Sequence, residues 1–188
     1  MATVLLLHAV RGLKDYERAA AERLRAAGHA VVLPDLFDGA EAATLEEGMA
    51  LKERVGWEAA VARAEAAAAP LAADAVLGGF SWGAAVAADL WARRPEAAGI
   101  LLLHGLVEIP ETARRGTPVQ LHLAEPDPFE EEEFVGVVET EALRAGCVLE
   151  TFRYPGAGHL FTDPALPGHD PAAAAVLWDR VEAFLDGL

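Results

Sequence analysis

Short, uninterrupted apolar runs alternate along the chain with longer stretches in which apolar residues recur every three or four positions. Residues 3–9 (TVLLLHA), 29–33, 74–80, 99–104, 119–124 and 147–154 have the length and continuity of strands covered on both faces. Residues 15–27, 44–69, 130–145 and 171–185 carry helical spacing, and Gly28 and Pro70 are stop signals for the first two. Gly48 and Gly56 are expected to break or bend the second. An alanine-rich helix follows Ser81. Strands that alternate with helices and are too apolar to face water predict an α/β fold: a doubly wound, mostly parallel sheet of about six strands. The 188 residues fit one domain, 1–188.

Composition narrows the function classes. A formal charge of −15 argues against nucleic acid and anionic membrane surfaces, both polyanions that would repel the chain. Cys147 is the sole cysteine, so no intrachain disulfide forms, and its place at the start of a strand suggests an inert buried thiol. The first residues enter an apolar strand without a charged leader segment, and no run approaches the length of a membrane span; a cytoplasmic protein is expected. The histidines form no ligand pair of the H-E-x-x-H kind, so no metal is expected. The loop after the first strand has only Gly12, not the G-x-G-x-x-G or P-loop lysine of a nucleotide binder, and no cofactor is implied.

Sheets of this class place their chemistry beyond the carboxyl ends of the strands. Those ends carry His8 to Gly12, Ser81, His104-Gly105, Glu125 to Pro128, and Pro155 to His159. Ser81 stands in GGFSWG, a G-x-S-x-G between an apolar strand and a helix, the setting of a nucleophile elbow. There the serine projects from a sharp turn, and glycines two residues to either side avoid collision with neighbouring backbone. His159, in a glycine-rich loop, is the candidate base; neutral imidazole has a proton affinity matched to that task. Asp127 is the candidate acid that orients it, stiffened by Pro126 and Pro128, with Glu125 the alternative in the same loop. Asp163 and Asp170 lie close to His159 in sequence, against the usual topology. The run from Glu130 to Glu133 reads as a solvated helix start, Arg11 as a surface arginine, and Phe37, Phe129 and Phe161 as an apolar rim. Trp82 opens the helix with a free N–H, its side chain either walling the pocket or packing. His104 is a candidate to line the pocket, whereas His8, His29 and His122 read as core or edge residues.

The segments HAVRGL (8–13), LPDLFDG (33–39), GGFSWG (78–83), LAEPDPF (123–129) and YPGAGHLF (154–161) together resemble the dienelactone hydrolase family of α/β-hydrolases. The resemblance spans nearly the whole chain, which looks like a minimal α/β-hydrolase fold beginning at the first strand of the doubly wound core. It implies Ser81 as nucleophile, Asp127 as acid and His159 as base, with the backbone N–H groups of Trp82 and Val10 holding the oxyanion. Three positions depart from the family members that hydrolyse dienelactone: Ser81 replaces a cysteine, Ala9 a glutamate and Asp163 an arginine. An aspartate cannot bind a substrate carboxylate as arginine does, so a neutral ester or lactone is expected instead. The expected activity is that of a serine hydrolase acting on a small carboxylic ester or lactone. The alternatives are an acyl transferase and a non-catalytic small-ligand-binding module on the same fold.

Overall fold

The computed structural model describes residues 1–188. Its elements run β1 (Thr3–Leu7), α1 (Asp15–Ala26), β2 (Ala30–Val32), α2 (Leu45–Val55), α3 (Trp57–Ala68), β3 (Val76–Phe80) and α4 (Trp82–Arg93). They continue through β4 (Ile100–Leu103), β5 (Pro118–Glu125), α5 (Glu132–Ala145), β6 (Val148–Pro155) and α6 (Pro171–Asp186). The strands form one six-stranded sheet in the order β2-β1-β3-β4-β5-β6, and every neighbouring pair is parallel. All six expected strands are present, with ends displaced by one or two residues.

Side chains alternate across each strand, and in β1, β3 and β4 both faces are buried, which explains their apolar runs; the edge strands β2 and β6, expected to be covered on both faces, are partly exposed because each has a neighbour on one side only. Val4, Leu6, Leu101 and Leu103 face α1 and α6, packing with Ala20, Leu24, Leu177 and Val181. Leu5, Leu7, Ile100 and Leu102 face the opposite layer, packing with Ala60 and Ala64 of α3, Leu90 and Trp91 of α4, and Val138 of α5. Each such leucine, removed from water on folding, contributes about 1.5–3 kcal/mol. The sheet is therefore doubly wound.

The stretch expected as one interrupted helix is two. Gly56, at φ 82 and ψ 148, separates α2 from α3 in a conformation that a Cβ disfavours. Gly48 does not break the helix. It lies inside α2, where an added Cβ would stand 3.0 Å from the carbonyl oxygen of Val10, so its role is to let α2 cross close over the loop after β1. No helix is long and apolar enough to cross a membrane.

Candidate active site

Strand order reverses direction between β1 and β3, which opens a crevice at their carboxyl ends. Ser81 leaves β3 into this crevice at φ 50, ψ −115, a strained conformation for a residue with a side chain. Close packing of backbone enforces it. A Cβ on Gly79 would lie 2.2 Å from the carbonyl of Gly83, and one on Gly83 would lie 2.5 Å from the carbonyl oxygens of both Leu7 and His8. The Ser81 N–H donates to Leu103 O (2.7 Å) and its carbonyl accepts from Ala84 N–H (2.8 Å), tying the elbow to β4 and α4. His104 and Leu160, also at this edge, have positive φ as well.

Three loops bring Ser81, His159 and Asp127 together. Ser81 Oγ lies 2.9 Å from His159 Nε2. His159 Nδ1 lies 2.9 Å and 3.1 Å from the two carboxylate oxygens of Asp127. A carboxylate only accepts, so Nδ1 carries the ring proton and the Nε2 lone pair faces the serine hydroxyl. The Asp127 side chain is 2% exposed and that of His159 12%, which shields their interaction from water. Asp127 Oδ1 also accepts from Phe129 N–H (3.0 Å). Helix α5 starts only at Glu132, so Asp127 is not its cap. The other acids are placed elsewhere: Glu125 is exposed beside Arg153, and Asp170 caps α6 by accepting from Ala172 and Ala173.

The loop after β1 forms the second wall. Leu36 N–H donates to His8 Nε2 (2.9 Å), so His8 Nδ1–H donates to Ala9 O (2.8 Å); burial lowers the His8 pKa and keeps the ring neutral. Gly12 N–H donates to the same oxygen (3.2 Å). Across a trans peptide the N–H points opposite to the carbonyl, so the Val10 N–H is turned away from His8. It finds no acceptor among the loop hydrogen bonds. Trp82 opens α4, where first-turn N–H groups lack a carbonyl one turn back. Val10, Ser81, Trp82 and His159 line one cavity of about 740 Å³.

Several expectations change here. Arg11 is not a surface residue: it is 9% exposed and forms a buried ion pair with Asp163, itself 3% exposed. Glu130 is not part of a solvated run. It lines the cavity, its Oε1 accepts from Leu106 N–H (3.1 Å), and burial, reinforced by the Asp127 charge, pushes its carboxyl up to about 7. Glu131, Glu132 and Glu133 are exposed as expected. Of the three phenylalanines only Phe129 lines the cavity, 4.6 Å from the His159 ring. Phe37 is buried against His8 and Trp82, and Phe161 against His104 and Tyr154. His104 is buried rather than pocket-lining, with Nε2 2.9 Å from Thr162 Oγ1, and burial holds its pKa well below the usual histidine range. The Trp82 side chain both lines the cavity and packs between Phe37 and Trp57. Cys147 is partly exposed and precedes β6; burial raises its thiol pKa.

One buried acid at this edge was not anticipated. Glu17 of α1 has no exposure, and burial pushes its carboxyl up to about 7 against three hydrogen-bond donors. The signal was available: Glu17 falls on the stripe of Ala20, Ala21 and Leu24 that α1 buries.

The comparisons with solved structures are consistent with this architecture. A dienelactone hydrolase-like promiscuous phosphotriesterase from metagenomic libraries superposes with a TM-score of 0.84 at 22% identity, over 100% of this chain and 87% of its own. A dienelactone hydrolase from Anabaena variabilis gives 0.71 at 20% identity, over 100% and 86%. A thermophilic esterase from Thermogutta terrifontis gives 0.72 at 15% identity, over 99% and 83%. At these identities the likeness is one of fold. No curated protein matches the chain. The family model for dienelactone hydrolases does match, over residues 1–187, and the chain belongs to the dienelactone hydrolase family of α/β-hydrolases.

Proposed function

We propose that the protein is a serine hydrolase that cleaves a small, neutral carboxylic ester or lactone through an acyl-enzyme on Ser81. The observation that carries this reading is the continuous relay from Ser81 Oγ through both nitrogens of His159 to the shielded Asp127 carboxylate, at 2.9 Å per step. Ser81 Oγ attacks the ester carbonyl as its proton passes to His159 Nε2, and Asp127 compensates the imidazolium. The backbone N–H groups of Val10 and Trp82 receive the charge on the tetrahedral oxygen. His159 returns the proton to the departing alcohol; a water then repeats the sequence, releasing the acid and freeing Ser81. Leu45, Met49, Ala85, Leu106 and Leu166 give the cavity a largely apolar lining, and the Arg11 charge is already matched by Asp163. Both features favour an uncharged substrate.

The test is intact-mass analysis after treatment with a fluorophosphonate at neutral pH. One adduct on the wild type, none on Ser81→Ala and slowed labelling on His159→Ala are expected. A folded wild type that takes up no label would overturn the assignment and favour a ligand-binding module.

A further inference from the structure

The loop that carries Val10 is held by a carboxylate that the proposed chemistry does not use. Glu17 Oε1 accepts from Ala9 N–H at 2.7 Å and from the Tyr16 hydroxyl at 2.8 Å, and Oε2 accepts from Lys14 N–H at 2.6 Å. Capping α1 requires only the bond to Lys14. The bond to Ala9 reaches eight residues back, onto the residue immediately before Val10. Three donors converge on this buried carboxyl group, at 2.6–2.8 Å, and fix its orientation. On the other side of Val10, the Arg11 side chain is anchored to Asp163 in the loop that carries His159. Residues 9–11 are thus fixed at both ends, with the Val10 N–H unpaired between them.

We infer that Glu17 is a positioning residue for the oxyanion site, holding the Ala9 backbone so that the Val10 N–H meets the developing negative charge. This rests on the acyl-enzyme reading above. A donor works there only when it is aimed in advance at the oxyanion's position, and removing one such donor costs about 10²–10³ in kcat. Loosening one costs less.

The experiment compares Glu17→Leu, which removes the acceptor, with Glu17→Asp, which keeps the charge but draws the carboxylate back from Ala9, and with Glu17→Gln, whose single amide oxygen can still accept from Ala9 N–H. For each, kcat and KM are measured on a neutral p-nitrophenyl ester. Inhibition by an aryl trifluoromethyl ketone, whose serine adduct carries an oxyanion, is set beside inhibition by the matching methyl ketone, which binds as the planar carbonyl. For Glu17→Leu and Glu17→Asp we expect kcat and trifluoromethyl ketone affinity to fall together by roughly 10–100-fold, with KM and methyl ketone affinity within about twofold of wild type. Glu17→Gln, which keeps one of the two acceptor oxygens, should recover part of the loss. If Glu17→Leu does not fold, Glu17→Asp decides alone. Equal losses for the two ketones, or no loss for either, would overturn the inference while leaving Ser81 labelling intact. A wild type that neither labels nor turns over would overturn both readings.

Discussion

Gly105, two residues beyond β4, packs against Ser81. A Cβ there would stand 2.6 Å from the Ser81 carbonyl oxygen and 3.0 Å from both Ser81 Cα and Ala84 Cβ. None of these can swing aside as the tip of a long side chain could. Bringing the closest contact to an ordinary separation of about 3.4 Å requires a movement of about 0.8 Å, shared between the elbow and the residues after β4. The Ser81 to His159 bond is 2.9 Å, so the full displacement taken up at Ser81 would stretch it to about 3.7 Å, past a working hydrogen bond, and half of it would weaken the bond. Misplacement on this scale costs about 10² in rate, and overpacking costs about 1–3 kcal/mol in stability. Gly105→Ala should therefore lower kcat/KM on a neutral p-nitrophenyl ester by roughly 30–100-fold, from a protein that still melts cooperatively a few degrees lower. The control is Gly136→Ala in the interior of α5, where an added Cβ meets nothing within 4 Å; it should leave activity unchanged and raise stability by about 0.5–1 kcal/mol. A Gly105→Ala enzyme with wild-type kcat/KM would refute the argument that rigid backbone contacts hold the serine in place.

Other consequences follow from the buried charges. Arg11→Met leaves Asp163 buried and unpaired and should cost about 3–5 kcal/mol in urea denaturation, whereas Arg11→Met with Asp163→Leu should recover much of it; additive losses would contradict the pairing. The Glu17 carboxyl moves from 4.5 in the unfolded chain to about 7 in the folded one, so the folded state binds its proton about 3 kcal/mol more tightly. That contribution is fully present below about 4.5 and is lost as pH rises through 7, so the wild-type melting temperature should fall between pH 5 and pH 8 more steeply than that of Glu17→Gln. Parallel curves would count against it. Ionisation of Glu130 near pH 7 places a negative charge at the cavity wall. From pH 6 to pH 8, kcat/KM for an anionic ester should drop relative to its neutral isostere in wild type but not in Glu130→Gln; an unchanged ratio in both would refute this role.

Much of this molecule is legible in its sequence because the signals are local. The central strands β1, β3 and β4 read as apolar runs since both faces of the sheet are covered there, whereas the edge strands β2 and β6 are partly exposed; the turn at Ser81 is legible because glycines two residues to either side are demanded by backbone contact within one turn. The order in which serine, aspartate and histidine follow the ends of β3, β5 and β6 is likewise visible. What was misjudged depends on contacts between distant segments. Arg11 looked like surface because its partner lies 152 residues away. Glu130 looked like one of four equivalent acids until Leu106 N–H and the cavity distinguished it from its neighbours. Gly48 signalled a break, although what it permits is the approach of α2 to Val10. Phe37 and Phe161 sit in loops, but the loops fold inward over the sheet.

The polar pairs around the cavity also bear on which substrates fit. The first-strand loop contributes a cation, Arg11, and the histidine loop an anion, Asp163; the family pattern for dienelactone substrates has a glutamate in the first of these loops and an arginine in the second. The charges are exchanged between the loops, at neighbouring rather than equivalent positions in the first. In this chain the pair is satisfied internally, so a substrate carboxylate would have to displace Asp163 from Arg11 and leave an aspartate 3% exposed with no counter-charge. It would also meet Glu130, which gains negative charge through neutral pH. A neutral acyl group meets neither obstacle, and Leu45, Met49 and Leu166 offer it apolar surface. The same buried pair joins the loop of Val10 to the loop of His159, so on the proposed reading a preference for neutral substrates and the geometry of the site would rest on one contact.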